Sequence, residues 1–375
     1  MSRQTSPRVA DVARAIEEFT PLSLAEASDR VGLRLVPRLR DRAPVRRVLL
    51  SLDCDLAAVR AAERRKAQLI VSHHPPALPE GPCIEFDSPA GRLLSAALRA
   101  RVSLYCAHTN LDSAKGGTAD RLCDLLRLRD VRPLIPKASP SVAKLVAFVP
   151  ESDLDRVRSA LSAAGAGVIG EYTECSWRTL GTGAFRASRK ARPTLGRRGK
   201  LEEVSEYRLE VVLPQSLVGD AVRALKAAHS YEEPAFDIYP LVPPSAGAGA
   251  GRIGVLDPPC TLPALVRRLK RLFRIRSARV TPGGPRTIRL LALCPGSGGS
   301  LLEAAASAGA HAFLTGEIRY HHALDAKDRR ISVIECGHYT TEAPILPVLR
   351  ALLKKRFPSL VITTFSPPGE PFILL

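Results

Sequence analysis

Three short apolar runs in this chain each end in residues of the kind that bind metals. The first, Ala67-Gln68-Leu69-Ile70-Val71-Ser72, runs into His73-His74-Pro75-Pro76. The second, Val102 to Ala107, ends in His108-Thr109-Asn110-Leu111-Asp112, and the third, Ile331 to Cys336, ends in Gly337-His338-Tyr339-Thr340-Thr341-Glu342. Apolar runs this short, bounded by turn residues, read as buried strands. Two adjacent imidazoles where such a strand opens into a loop need partners for all their ring nitrogens, and a bound cation answers that need. If the three strand ends share a site, the two ends of the chain must fold together.

The first third supports that frame. Val9, Val12, Ala13, Ile16 and Phe19 fall on one helical face, followed by a strand over 45–52, a helix over 56–67 and a strand over 69–72. A helix over 91–101, a strand over 102–107 and a helix over 119–128 complete an α/β alternation, which implies a helix-covered sheet with functional loops at its carboxyl edge. The same alternation resumes after residue 260: helix 261–273, strand 287–294, helix 300–308, strand 312–315, helix 317–328, strand 331–336, helix 342–357 and strand 360–365. Ser300 and Glu303 have the spacing of a capping box.

Between these parts lie two proline- and glycine-rich breaks, 132–140 and 243–251. They bound a unit that reads strand, helix, strand, strand, strand, helix, strand, with strands expected at 144–149, 167–172, 183–187, 206–213 and 236–241. This is the β-α-β-β-α-β ferredoxin-like order with one additional strand. The Arg-, Pro- and Gly-rich stretch 188–200 reads as a mobile excursion. The expected fold class is therefore α/β: a discontinuous two-lobed metal-binding domain, with lobes 1–138 and 246–375, carrying an inserted ferredoxin-like α+β domain over 139–245.

His338 and Glu342 are four apart at a helix start, so both can lie on one face and converge on one ion. The proposed ligand set is His73, His74, Asp112, His338 and Glu342. Five side chains exceed the needs of one tetrahedral zinc, whereas two ions sharing a bridging carboxylate would use them all. Mixed nitrogen and oxygen ligation suits Zn, Mn, Fe or Co. Taken singly, each residue has a plainer reading; Asp112 would serve as a loop cap, and the shared position at strand ends is what joins them. His108 and His321 are the candidates for moving protons, and Glu317, four before His321, is a candidate to line the same cleft. The segment Cys294-Pro295-Gly296-Ser297-Gly298-Gly299-Ser300 lacks Walker spacing and reads as a tight turn ahead of a phosphate cradle.

Composition narrows the partners. The 55 Lys and Arg against 37 Asp and Glu give a net charge of +18, but the excess is spread along the chain and comes mainly from arginine. Denser basic runs exist at 186–198 and 267–276. With aromatic residues at 5% there are few platforms for base stacking, which weighs against nucleic acid as the partner. No stretch approaches the roughly 18 apolar residues of a membrane span, and the first residues lack the apolar core of a secretory signal. The eight cysteines are scattered without a C-x-x-C pair, as expected of reduced thiols in a cytoplasm.

Six segments carry a family resemblance: PLSLAEASDRVGL at 21–33, Leu50 to Asp53, IVSHHP at 70–75, AHTNLD at 107–112, TGEIRYH at 315–321 and GHYTTE at 337–342. In this order they resemble the dinuclear-metal proteins described as GTP cyclohydrolase 1 type 2 homologues, or Ngg-interacting-factor proteins. The middle part resembles the longer bacterial members, whose inserted domain is similar to CutA and PII proteins. The resemblance implies that His73, His74, Asp112, His338 and Glu342 hold two divalent metal ions. It also implies a toroidal homo-oligomer, hexameric, and hydrolysis of a nucleotide-like substrate, with opening of the GTP purine ring and formate release. The chain departs from the family pattern at Ser28, Asp55 and His322, none of which is among the ligands. The rival expectation is a regulatory metal-binding scaffold whose insert senses a small molecule.

Overall fold

The computed structural model describes residues 6–37, 44–79, 83–137, 142–241, 247–366 and 369–372. By backbone contact the chain divides into two compact units, one formed by 1–137 with 247–375 and the other by 138–246.

The discontinuous unit begins with α1 (Val9–Phe19), β1 (Gly32–Leu35), β2 (Arg47–Ser51), α2 (Leu56–Arg64), β3 (Leu69–Ser72), α3 (Pro89–Ala100) and β4 (Ser103–Cys106). It continues with α4 (Thr109–Ser113), α5 (Thr118–Leu126) and β5 (Arg129–Pro136). The helices begin where the side chains allow it: Asp55 accepts the Ala58 amide at the start of α2, and Ser88 accepts that of Gly91 ahead of Pro89 in α3. Every residue of β3 and β4 is buried, as strands covered on both faces must be.

The chain then leaves for the second unit, with β6 (Val142–Val149), α6 (Leu154–Ala163), β7 (Trp177–Arg186), β8 (Leu201–Pro214), α7 (Val218–Ala228) and β9 (Phe236–Leu241). Its sheet has the order β7-β8-β6-β9 and is antiparallel throughout. Leu145, Ala147 and Val149 of β6 and Leu209, Val211 and Leu213 of β8 alternate inward and bury a core against α6 and α7. The additional strand expected at 167–172 does not form; Ile169 and Tyr172 make only an isolated bridge across the Gly170 turn. Residues 188–200, expected as a free excursion, are tied down instead. The Arg192 amide donates to Glu232 (2.8 Å), and Thr194 Oγ1 donates to the Ser230 carbonyl (2.9 Å).

On its return the chain forms β10 (Gly249–Thr261), α8 (Leu262–Phe273), β11 (Arg279–Thr281), β12 (Thr287–Ser297), α9 (Leu302–Ser307), β13 (Ala312–Glu317) and α10 (Tyr320–Asp328). It ends with β14 (Ser332–Glu335), α11 (His338–Glu342), α12 (Leu346–Arg356) and β15 (Val361–Thr364). The expected capping box is absent, because Gly299–Leu301 form a 3₁₀ turn and Ser300 lies inside it rather than at the cap. Parts of both sequence breaks turn out to be strand: β5 pairs antiparallel with β10, Pro136 opposite Gly249. The chain thus departs from one strand and returns in its neighbour, which is how 109 residues can be interposed without opening the sheet.

The discontinuous unit holds two sheets, β1-β4-β3-β2-β15 and β11-β14-β13-β12-β10-β5. Neither belongs to one end of the chain. The C-terminal β15 pairs parallel with β2, and Leu346, Leu349 and Leu353 of α12 pack with Val9, Val12 and Ile16 of α1. Conversely, Leu122 and Leu126 of α5 pack beneath the second sheet with Leu265, Leu291 and Leu314.

A buried ion pair adds to this interleaving. Arg252 of β10, 1% exposed, donates through Nε and Nη2 to the Asp120 carboxylate, and through Nη2 and Nη1 to the carbonyls of Ala114 (3.0 Å), Gly249 (2.6 Å) and Gly251 (2.8 Å). Asp120→Ala leaves that guanidinium buried without its counter-charge, and should lower stability in urea denaturation by about 3–5 kcal/mol. The double variant with Arg252→Met should recover part of that loss.

Candidate metal centre

His73 and His74 leave the carboxyl end of β3, and their amides donate back to the carbonyls of Ser51 and Leu52, which fixes the turn before Pro75. His108 follows β4 and caps α4, placing Asp112 one turn along. Gly337, at φ +97°, makes the turn from β14 into α11 that an L side chain would strain, and α11 carries His338 and Glu342. The carboxyl ends of parallel strands from two sheets therefore supply the donors.

These donors converge on Glu342. Its Oε2 lies 2.9 Å from His74 Nε2, and its Oε1 lies 3.2 Å from His338 Nε2 and 3.7 Å from His73 Nε2. Asp112 Oδ1 is 3.6 Å from His73 Nε2. The opposite ring nitrogen of each histidine is occupied from behind. His73 Nδ1 donates to the Ala107 carbonyl (2.9 Å), while His74 Nδ1 meets Asp53 (2.8 Å) and His338 Nδ1 meets Glu317 (3.1 Å). Held this way, all three rings turn Nε2 inward, the arrangement in which an outer acceptor sets the tautomer and raises the basicity of a metal-binding imidazole.

Charge follows geometry. Burial works against ionising Glu342, yet His73, His338 and His74 hold its carboxyl well below the usual range. Burial raises Asp112, with His73 pulling the other way. Against its own desolvation, His74 is pushed up to about 10 by Asp53 and Glu342. His338 is pushed up to about 9, chiefly by its hydrogen bond to Glu342. Protons held among the rings and carboxylates thus do electrostatically what cations would do.

Two atoms are left over. His73 Nε2 and Asp112 Oδ1 are buried, and neither has a hydrogen-bond partner. Unpartnered buried polar atoms carry a desolvation cost of about 1–3 kcal/mol each, and a cation between them removes it. The donor set therefore fits a metal ion. Two groups of donors lie close enough together to hold one, His73 with His74 and His108, and His74 with His338 and Glu342. Nitrogen and carboxylate donors are those of a borderline transition metal.

All five expected ligands are thus brought together, with His108 added to them. The His108 ring lies 5.2 Å from that of His73 and 5.7 Å from that of His74. Its Nδ1 is held by Asp29 (3.0 Å), which also accepts the Thr109 amide and hydroxyl. His321 is exposed at the start of α10 with its ring against Tyr320. Glu317 ends β13 and reaches His338, not His321. Asp29 and Asp53 carry no local signal of their roles, since both act across more than 20 residues of sequence.

The glycine-rich loop after β12 is a tight turn. The Gly296 and Gly298 amides are taken by the hydroxyls of Thr341 and Thr315, both at 3.0 Å, so neither is free to hold a phosphate. Its function is proximity: at Gly296, φ +62°, a Cβ would fall 2.1 Å from Glu342 Oε1. Gly296→Ala adds about 1–2 kcal/mol of backbone strain and displaces the central carboxylate. Elemental analysis should show metal content falling well below that of the unaltered chain.

The metal-free protein should also show a defined pH response. The raised His74 and His338 contribute stability that is fully present below about pH 6.5 and lost as pH rises through 9 to 10. The depressed Glu342 contributes stability present above about pH 4.5 and lost on acidification. The melting temperature after chelation should therefore peak between these limits. The gain on adding zinc should grow from pH 6 to 8.5, because metal must displace protons; a gain independent of pH would contradict this electrostatic picture.

Residues 7–368 match the DUF34/NIF3 family, described as NGG1p interacting factor 3. A Halalkalibacterium halodurans protein named GTP cyclohydrolase 1 type 2 homolog is 34% identical over 367 residues, covering 97% of this chain and 98% of that protein. A Mycobacterium tuberculosis protein of the same name is 36% identical over 356 residues, covering 94% and 93%. A solved structure titled a Bacillus cereus protein related to NIF3 superposes with a TM-score of 0.75 at 31% identity, covering 98% of this chain and 99% of that one. A family model matching residues 7–368, together with relatives 34% and 36% identical over 97% and 94% of the chain, shows that this chain belongs to the DUF34/NIF3 family.

Proposed function

We propose that this protein is a metal-dependent hydrolase of a nucleotide-like substrate, in which His73, His74, Asp112, His338 and Glu342 hold two divalent cations drawn from Zn, Mn, Fe or Co. The observation that carries the reading is the Glu342 carboxylate, whose two oxygens face different imidazoles and so suit a bridging position. When bound, such a pair of cations supplies Lewis-acid polarisation of an electrophile and activation of water. His108, oriented by Asp29 beside this cluster, is the group we assign to proton transfer, since its Nδ1 is occupied and its Nε2 is left for the reacting centre. His321 is given no part in the proton transfer. The substrate class follows the name of the relatives, and GTP is the first compound to test. The same reading places the protein in the cytoplasm as a homo-oligomer, a hexamer, with a ferredoxin-like insert whose strand order supports that assignment.

The full chain loaded with zinc or manganese should release formate or inorganic phosphate from GTP over multiple turnovers. His108→Ala should lower kcat by about 10²–10⁴-fold. Failure to release either product from GTP or any member of a nucleotide panel would remove this reading.

A second reading, a regulatory metal-binding scaffold without turnover, is favoured by one observation. The inserted unit contains a cavity of ≈ 440 Å³ lined by Phe148, Phe185, Leu195, Glu206, Tyr231 and Glu233 among others, the mixture of apolar walls and few polar groups typical of small-molecule sites. Ligand-induced protection of this unit from hydrogen exchange, with no turnover at the metal centre, would select it.

A further inference from the structure

Beside the imidazole cluster lies a second cleft, of ≈ 390 Å³, lined by Ser28, Asp29, Arg30, Arg34, Pro75 and Pro76 among others. It adjoins the candidate metal centre at Asp29. Asp29 is the carboxylate that holds His108, and Pro75-Pro76 continue directly from His73-His74.

Arg34 is the informative residue. In the edge strand β1, Leu33 pairs with Tyr105 but Leu35 pairs with Leu104, so one extra residue, Arg34, is accommodated between them. Bulges of this kind redirect a side chain and recur beside functional sites. The Arg34 side chain is half-buried, and among the described residues it makes no hydrogen bond or ion pair. A guanidinium carries five donors, so a half-buried one without a protein partner leaves donors open to an incoming acceptor. Arg30 brings a second cation to the same cleft. Among the described lining residues the one carboxylate, Asp29, is engaged by Thr109 and His108, and the prolines offer no amide donors.

We propose that this cleft is an oxyanion subsite that takes the phosphate tail of the substrate, with Arg34 as its planar, bidentate donor. The inference rests on the nucleotide-like reading of the metal centre and extends it. It sets the substrate's polarity: phosphate at the β1 edge, reacting group over the histidines.

Isothermal titration of the full chain with inorganic pyrophosphate tests it. The unaltered protein should bind pyrophosphate, and Arg34→Gln should weaken binding about tenfold or more. Arg34→Lys, which keeps the charge but loses the fork, should fall between. Metal content by elemental analysis should be the same in all three. Arg99→Gln, which removes one positive charge at a cleft elsewhere in the unit, should bind as the unaltered chain does. Should Arg34→Gln fail to fold, Arg34→Lys and Arg30→Gln carry the same comparison. No binding by the unaltered chain, equal weakening by Arg99→Gln, or an undiminished Arg34→Gln would each overturn the subsite. Equal binding of malonate with the same Arg34 dependence would overturn the phosphate assignment. The two readings fail separately: weakened pyrophosphate binding with no turnover on any nucleotide removes the hydrolase and keeps the subsite. GTP turnover by Arg34→Gln with an unchanged KM does the reverse.

Discussion

A single buried carboxylate organises this protein. Glu342 sits among the Nε2 atoms of three imidazoles that arrive from two different sheets. A carboxylate this buried is tolerable only when positive charge surrounds it. The charge comes from histidines whose far nitrogens are each gripped by an acceptor. Ala107, Asp53 and Glu317 are therefore as much a part of the site as the rings they hold.

Supporting that carboxylate dictates much of the local backbone. Gly296 must lack a side chain because Glu342 Oε1 occupies the space a Cβ would need. Gly337 must adopt a positive φ for α11 to start where it does. Thr315 and Thr341 then hold the Gly296–Gly298 turn through their hydroxyls. Two glycines and two threonines that look like ordinary turn chemistry are in fact the bed on which the central ligand rests. The same economy of placement brings Asp29 to His108 and Arg34 to the adjoining cleft, so that proton transfer and anion binding would share one edge of the first sheet.

The fold meets the demand by interleaving the ends of the chain. Because β15 completes the sheet that carries His73 and His74, and α5 completes the core beneath the sheet that carries His338, neither half can be withdrawn without exposing apolar surface in both. Arg252, buried with Asp120, stitches β10 to the segment leading into α5. The inserted unit interrupts the sequence between two paired strands, where the departing and returning backbones are already neighbours. A separately cored unit can occupy that point without disturbing the register that positions the metal donors.

Much of this was legible in the residues themselves. The apolar runs of β3, β4 and β14 specify strands through side-chain burial alone, and the histidines and acids that follow them are local, so the five candidate donors could be read directly. Other features were not, because they depend on pairing partners remote in sequence. The proline- and glycine-rich stretches at the borders of the insert look like breaks, yet become β5 and β10 once each finds the other's hydrogen-bonding edge. Residues 167–172 have apolar content enough for a strand, but after Gly167 donates to the Val212 carbonyl of β8 the segment folds back on itself at Gly170. Glu317 and His321 share a helical spacing, but the strand β13 runs on through Glu317, which sends the acid to His338 and leaves His321 in solvent. The sequence by itself determined which groups could bind a cation, since that is a property of side-chain chemistry at strand ends. Only the tertiary structure decided which acceptor stands behind each ring and which arginine lacks one, because those are matters of distance between segments that the order of residues does not encode.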